Sequence, residues 1–307
     1  MTGEAVACTT EQALLGEGPR WDARRGELLW VDILAGRVHR DRVADDGALL
    51  PVASYQVPGT VGAVAPVQDD PGWLLAAGRG FAHLSVDGTV RPLAEEVAPA
   101  GTRMNDAACD PQGRFWAGTK ADAAGAAALY RFDGNGRTEV VLEGLTISNG
   151  LGWSLDGATM YLADSHPGVI HAFAFDADQG RISGGRVLVE VPEDVGVPDG
   201  LTVDADGDLW VAIWGGGRVH RYAPDGELRQ TLAVPAEQST SCAFAGPGLH
   251  RLYVTTATED WSEEQRRADP LAGLVYRFDT DATGRPAAPF RPDPTWWSTR
   301  TRRPAPG

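Results

Sequence analysis

Residues 198–226 read PDGLTVDADGDLWVAIWGGGRVHRYAPDG. Within them, Leu209–Ile213 and Val219–Tyr222 are short apolar-rich runs, and Asp206-Gly207, Gly215-Gly216-Gly217 and Asp225-Gly226 cut the chain around them. Runs of Leu, Val, Ile, Trp and Tyr bounded by Asp-Gly and Gly-rich turns are strands joined by tight hairpins. The same texture extends in both directions. Leu28–Val31, Trp73–Ala77, Phe115–Gly118, Met160–Ala163 and Leu252–Thr255 are further strands, and Phe81–Ser85, Leu129–Phe132, Val169–Phe175 and Leu274–Phe278 follow as their partners. Helical periodicity is confined to Ser262–Ala268, which Pro270 stops. The chain is predicted to be all-β.

The pattern also recurs at a fixed spacing. EGPRW (17–21), TVGAV (60–64), NDAAC (105–109), NGLGW (149–153), DGLTV (199–203) and TSCAF (240–244) each open on a polar residue and carry an apolar or aromatic residue four positions later. The intervals are 43, 45, 44, 50 and 41 residues. Six units of that length, each about four short strands, predict a six-bladed β-propeller over residues 1–307 as one domain. A large sandwich would not require one polar position to recur at one phase. The segment before Glu17 is predicted to close the ring by pairing into the last blade. Residues 286–307, rich in Pro and Arg, are predicted to be weakly ordered, with Trp296 and Trp297 docking part of that tail.

Blades are arranged radially, so equivalent positions meet at the central channel. Glu17, Thr60, Asn105, Asn149, Asp199 and Thr240 share one phase and are predicted to ring one channel mouth. All six offer an oxygen acceptor and none is cationic. Carboxylate and amide oxygens without His or Cys are the ligand set of a hard divalent cation. The competing reading of each residue is bland: Asn149-Gly150 and Asp199-Gly200 are common turn dipeptides, and Glu17 alone is a surface acid. Only the shared phase separates the two readings.

Charge and composition exclude several classes. The 307 residues hold 42 acidic and 27 basic side chains, a net charge of −15. Such a surface does not suit a nucleic acid or an anionic membrane. At 43% hydrophobic the chain has material for a core, and no apolar window is long enough to span a bilayer. Cys8, Cys109 and Cys242 are widely spaced, which suits reduced thiols. MTGEAVACTT is not read as a secretory signal, and a cytoplasmic location is expected. The histidines lack metal spacing, no GxSxG supports a serine nucleophile, and the three-glycine run at 215–217 lacks the context of a phosphate loop. His166 is read as a loop residue and Trp214 as core, each with a place at the channel wall as its alternative.

GEGPRW (16–21), LLWVDI (28–33), RMNDAACDPQGRFWAGT (103–119), ISNGLGWSLDGATMYLADS (147–165) and the stretch at 198–226 together resemble the SMP-30/gluconolactonase (regucalcin-like) family over nearly the whole chain. The resemblance implies a six-bladed propeller holding one divalent metal in its central channel, through Glu17, Asn149 and Asp199. It implies that Arg103 and Asn105 contact substrate. One departure lies after Gly118-Thr119, where KADAAGAAA follows and the nearest acid is Asp122; that residue is assigned a substrate contact by position only.

The function implied is hydrolysis of a sugar lactone. The cation, Ca²⁺ by its all-oxygen ligands with Mg²⁺, Mn²⁺ or Zn²⁺ as alternatives, polarises the carbonyl, and Asp199 is the candidate base for the attacking water. The partner is a small molecule rather than nucleic acid or membrane. The competing functions are hydrolysis of another ester or an organophosphate, ring modification in a biosynthetic pathway, and a non-catalytic calcium-binding propeller.

Overall fold

The computed structural model describes residues 3–301. Six four-stranded antiparallel sheets are arranged as blades around an axis. Their innermost strands are Gly16–Asp22, Val61–Pro66, Thr102–Cys109, Ser148–Trp153, Val197–Val203 and Ser239–Ala245. In the first five blades four consecutive strands run outward in sequence order. The sixth borrows its outermost strand from the start of the chain: Val6–Ala7 pairs antiparallel with Tyr276–Asp279. The ring is thus closed by main-chain hydrogen bonds between the two ends of the chain. The predicted six-bladed propeller and its mode of closure are both present.

The apolar side chains of the innermost and second strands are buried in six clusters, one in each seam between neighbouring blades. Each blade therefore buries both faces against its neighbours. This explains why the second strands, such as Leu209–Trp214, are almost continuously apolar rather than alternating.

The repeated turn has a polar anchor. Asp204 accepts the backbone N–H groups of Asp206 and Asp208, both at 2.9 Å, on one oxygen and the indole N–H of Trp210, at 2.8 Å, on the other. Asp110 does the same for Gln112, Arg114 and Trp116. Both carboxylates are fully buried, and each ties the hairpin after an innermost strand to a large core tryptophan.

The tail differs from its composition. Phe290 is fully buried, and the strand bridge it makes with Val67 pins the segment to the second blade. Pro294–Thr301 forms a helix, with Asp293 Oδ1 accepting the N–H of Trp296 at 2.8 Å. Trp297 is buried and donates its indole N–H to Asp70 at 2.8 Å. A high Pro count predicts weak order, but a Pro in the first helical turn behind an Asp cap starts a helix. The docking of Trp297 agrees with expectation. Residues 302–307 lie outside the described residues. Among the described residues no helix is long and apolar enough to cross a membrane.

Asp204→Ala strands two buried donors, the Asp208 N–H and the Trp210 indole, and is expected to lower the free energy of unfolding by about 3 kcal/mol in denaturant titrations. Asp156→Ala removes the Asp of an exposed Asp-Gly turn, whose Oδ1 accepts from Ser154 and Ala158, and is expected to produce a much smaller change in the same measurement.

Candidate active site

At the end of the ring where the innermost strands begin lies a cavity of about 210 Å³. Glu17, Arg103, Asn105, Asn149 and Asp199 all line it, so residues separated by more than half the chain meet at one point. Lys120, Ser165, His166, Trp214, Glu259 and Asp260 complete its polar and aromatic wall. His166, exposed in the turn after Asp164, and Trp214, which also packs against the core, both reach the cavity wall.

Each innermost strand slips register against the second strand near its start. The slip spans Met104/Ala107, Ser148/Leu151, Pro198/Leu201 and Ser239/Ser241 in the last four blades. Asn105, Asn149, Asp199 and Thr240 sit at these bulges, which re-aim side chains. Glu17 stands immediately before the slip in its blade. Thr60 does not follow the pattern: the slip of its blade falls at Gly62, and Thr60 lies ahead of the strand. Thr240 does not line the cavity. It is fully buried, donates to the Gly16 carbonyl at 2.5 Å and shares a hydrogen bond with Thr255, bolting the last blade to the first. A repeat period counts residues, whereas side-chain direction follows hydrogen-bond register, and the two part company at these positions.

The glycines beside Asn149 and Asp199 are not turn residues. Gly150 and Gly200 lie within strands. A Cβ at Gly150 would collide with the backbone of Leu201, and one at Gly200 with the side chain of Ser241. Innermost strands converge on the axis, and only glycine lets their backbones approach that closely. The turn reading of Asn149-Gly150 and Asp199-Gly200 is therefore replaced by a packing one.

A chain of hydrogen bonds fixes the amides. Ser165 donates to the Pro198 carbonyl at 2.8 Å, so it accepts from Asn149 Nδ2 at 3.0 Å. The amide oxygen of Asn149 is thereby turned the other way, where Asn105 Nδ2 donates to it at 3.2 Å. Asn105 also donates to the Ser148 carbonyl, and its oxygen accepts from Arg103 at 2.6 Å. Each amide orientation follows from the donor–acceptor inventory.

The carboxylates are left less satisfied. Burial pushes the carboxyl pKa of Glu17 up to about 8, reinforced by the charge of Asp106 and opposed by the Gly18 N–H and Arg103. Burial likewise raises Asp199 well above the usual carboxylate range, with Glu17 and Asp106 adding to it and Lys120 opposing. Asp199 Oδ1 is buried without a hydrogen-bond partner. Asp106, also buried, caps the N–H of Ala107 and does not line the cavity. Among the described residues no three His, Cys, Asp or Glu side chains form a metal cage; what the cavity offers an ion is two carboxylates with amide oxygens beside them. That donor set and the orphaned Asp199 oxygen fit a hard divalent cation.

Asp122 is exposed and lines a shallow recess beside the cavity, with Arg103, Lys120 and Glu259. The recess adjoins the site, but Asp122 does not reach the cavity itself. Lys120, Glu259 and Asp260 were not singled out from sequence. Lys120 stands just past the Gly118-Thr119 pair, and Glu259 and Asp260 come from the insertion between the second and third strands of the last blade. No motif marks them.

A six-bladed propeller with an acidic, amide-lined axial cavity defines a class of protein. Residues 15–258 match the model of the SMP-30/gluconolactonase/LRE-like region, and the chain belongs to that family. It is similar to the pentonolactonase XacC of Haloferax volcanii, with 37% identity over 91% of this chain and 94% of that one. It is 35% identical to the 6-deoxy-6-sulfogluconolactonase of Pseudomonas putida over 92% of this chain and 97% of that one. Among solved structures it resembles the calcium-binding protein regucalcin of Agrobacterium tumefaciens, with a TM-score of 0.87 and 29% identity over 94% of this chain and 98% of that one.

The sign of the pH dependence follows from Glu17. Its ordinary value is 4.5 and its folded value is about 8. Between these the folded state binds the extra proton, so the cation-free protein loses stability as pH rises through that window and is unaffected below it. Thermal melts in chelator from pH 5 to 8 are expected to fall more steeply for the wild type than for Glu17→Gln. Calcium is expected to raise the wild-type melting temperature more at pH 8 than at pH 5, since the ion and the proton compete for one carboxylate.

Proposed function

We propose that this chain hydrolyses a sugar lactone with the help of one divalent cation held by Glu17, Asn149 and Asp199. The observation that carries the reading is the meeting of those three oxygen donors with Arg103 and Asn105 in one cavity, where Asp199 Oδ1 has no partner. The names of the lactonase relatives support the substrate class, and calcium is the ion that the ligand chemistry and the regucalcin likeness favour.

A bound cation supplies Lewis acidity that draws electron density from a lactone carbonyl. The chain's residues do the rest. Asn105 holds the Asn149 amide so that its oxygen faces the ion site. Arg103 spends Nη1 on Asn105 and the Met104 carbonyl, leaving other N–H groups for ring and hydroxyl oxygens. Asp199 takes a proton from the water that adds to the carbonyl carbon. It returns that proton to the ring oxygen as the C–O bond breaks, leaving the open hydroxy acid.

Asp199→Asn is expected to lower kcat/KM on aldono-1,4- and 1,5-lactones by about a thousandfold, while the melting temperature in chelator does not fall. Chelation is expected to abolish turnover, and refilling with single cations to restore it. Undiminished hydrolysis by the Asn variant, or by the chelated wild type, would overturn the reading.

A further inference from the structure

Lys120 is the only lysine of the chain; every other Lys/Arg position is arginine. It lies directly opposite Arg103 in the register of two neighbouring strands. Like charges facing each other across an antiparallel pair are unfavourable, and here both line the cavity. Glu259 compensates them. Its Oε1 is 3.3 Å from Lys120 Nζ, and of the carboxylates acting on Arg103 it exerts the largest effect. Glu259 is itself held rigidly: its N–H donates to Gln238 Oε1 at 2.8 Å and its carbonyl accepts from Gln238 Nε2 at 3.1 Å. An ammonium and a carboxylate from opposite sides of the mouth are thus set side by side over the candidate site, at the expense of a cation pair in the sheet.

We propose that Lys120 and Glu259 are a specificity-determining pair that reads adjacent hydroxyl groups of a neutral, polyhydroxylated ring. This inference rests on the lactone reading of the same cavity. A carboxylate accepts from one hydroxyl, and an ammonium, with three rotatable donors, gives to the oxygens of both. A guanidinium is wider, planar and less adaptable, which explains a lysine in a chain that otherwise uses arginine. A neutral ring is favoured over an anionic one at the mouth, where the carboxylates of Glu259 and Asp260 line the wall and Glu259 already pairs with Lys120. An anionic substituent at the mouth would meet Glu259 and Asp260.

The test is calorimetric binding of an unhydrolysable mimic, the 1,5-lactam of a hexonic acid with all its hydroxyls, to calcium-loaded protein. δ-Valerolactam, which has the same ring without hydroxyls, and the 6-phosphate of the hydroxylated lactam serve as comparisons. Lys120→Met, Lys120→Arg and Glu259→Gln are each expected to weaken the hydroxylated lactam about tenfold to a hundredfold, while δ-valerolactam stays weak in all four proteins. On a hydroxylated lactone the loss is expected in KM rather than kcat, which a merely structural ion pair would not produce. Wild-type-like binding by Lys120→Arg, failure of the wild type to bind the hydroxylated lactam, or tighter Lys120-dependent binding of the phosphate would overturn the proposal. Should the wild type hydrolyse no lactone while the lactam pattern holds, the hydrolytic reading falls and the hydroxyl-reading pair stands.

Discussion

Six innermost strands have to approach one axis closely enough for their side chains to share a cavity, and this sets the terms for everything else in the molecule. Strands that converge cannot all carry a Cβ where their backbones meet. Glycines at 150 and 200 remove that obstacle beside Asn149 and Asp199, and Gly62 does so beside Asn105. Register slips at the same level turn the neighbouring polar side chains inward. Close approach and inward aim are thus two consequences of one geometry, and the residues that satisfy both are the candidate ligands.

That geometry concentrates negative charge where there is little water. Glu17 and Asp199 are buried, Glu17 raises the proton affinity of Asp199, and Asp106 adds to both. A protein does not keep such a group without compensation elsewhere. The six seam clusters and the chain-end closure provide a frame stiff enough to hold it, and the Asp–Trp anchors at the hairpins secure that frame from outside. The rim above is built differently. It brings Lys120 and Arg103, from paired strands of the third blade, together with Glu259, from an insertion in the sixth.

The repeat was the most legible feature. Its period exposed the blade count, and its polar phase pointed to Glu17, Asn105, Asn149 and Asp199, all of which line the cavity. The same phase also nominated Thr60 and Thr240, which do not. Thr60 fails because its blade slips register at Gly62, and Thr240 because its hydroxyl is committed to the seam between the first and last blades. Neither fact has a signature in residue spacing. The tail shows the opposite error. Its composition suggested weak order, yet Phe290 and Trp297 give it enough apolar surface to dock against the second and third blades.

The linear order of residues by itself determined an all-β chain, six repeats, ring closure through the N-terminal segment and a set of six phase-equivalent polar residues. Those properties are periodic or local, and short-range rules suffice to read them. Only the tertiary structure decided which phase-equivalent residues face the axis, which way the Asn149 amide turns, and that Lys120 and Glu259 stand together at the mouth. These depend on hydrogen-bond register and on contacts between segments far apart in the chain, and both arise only once the strands have converged.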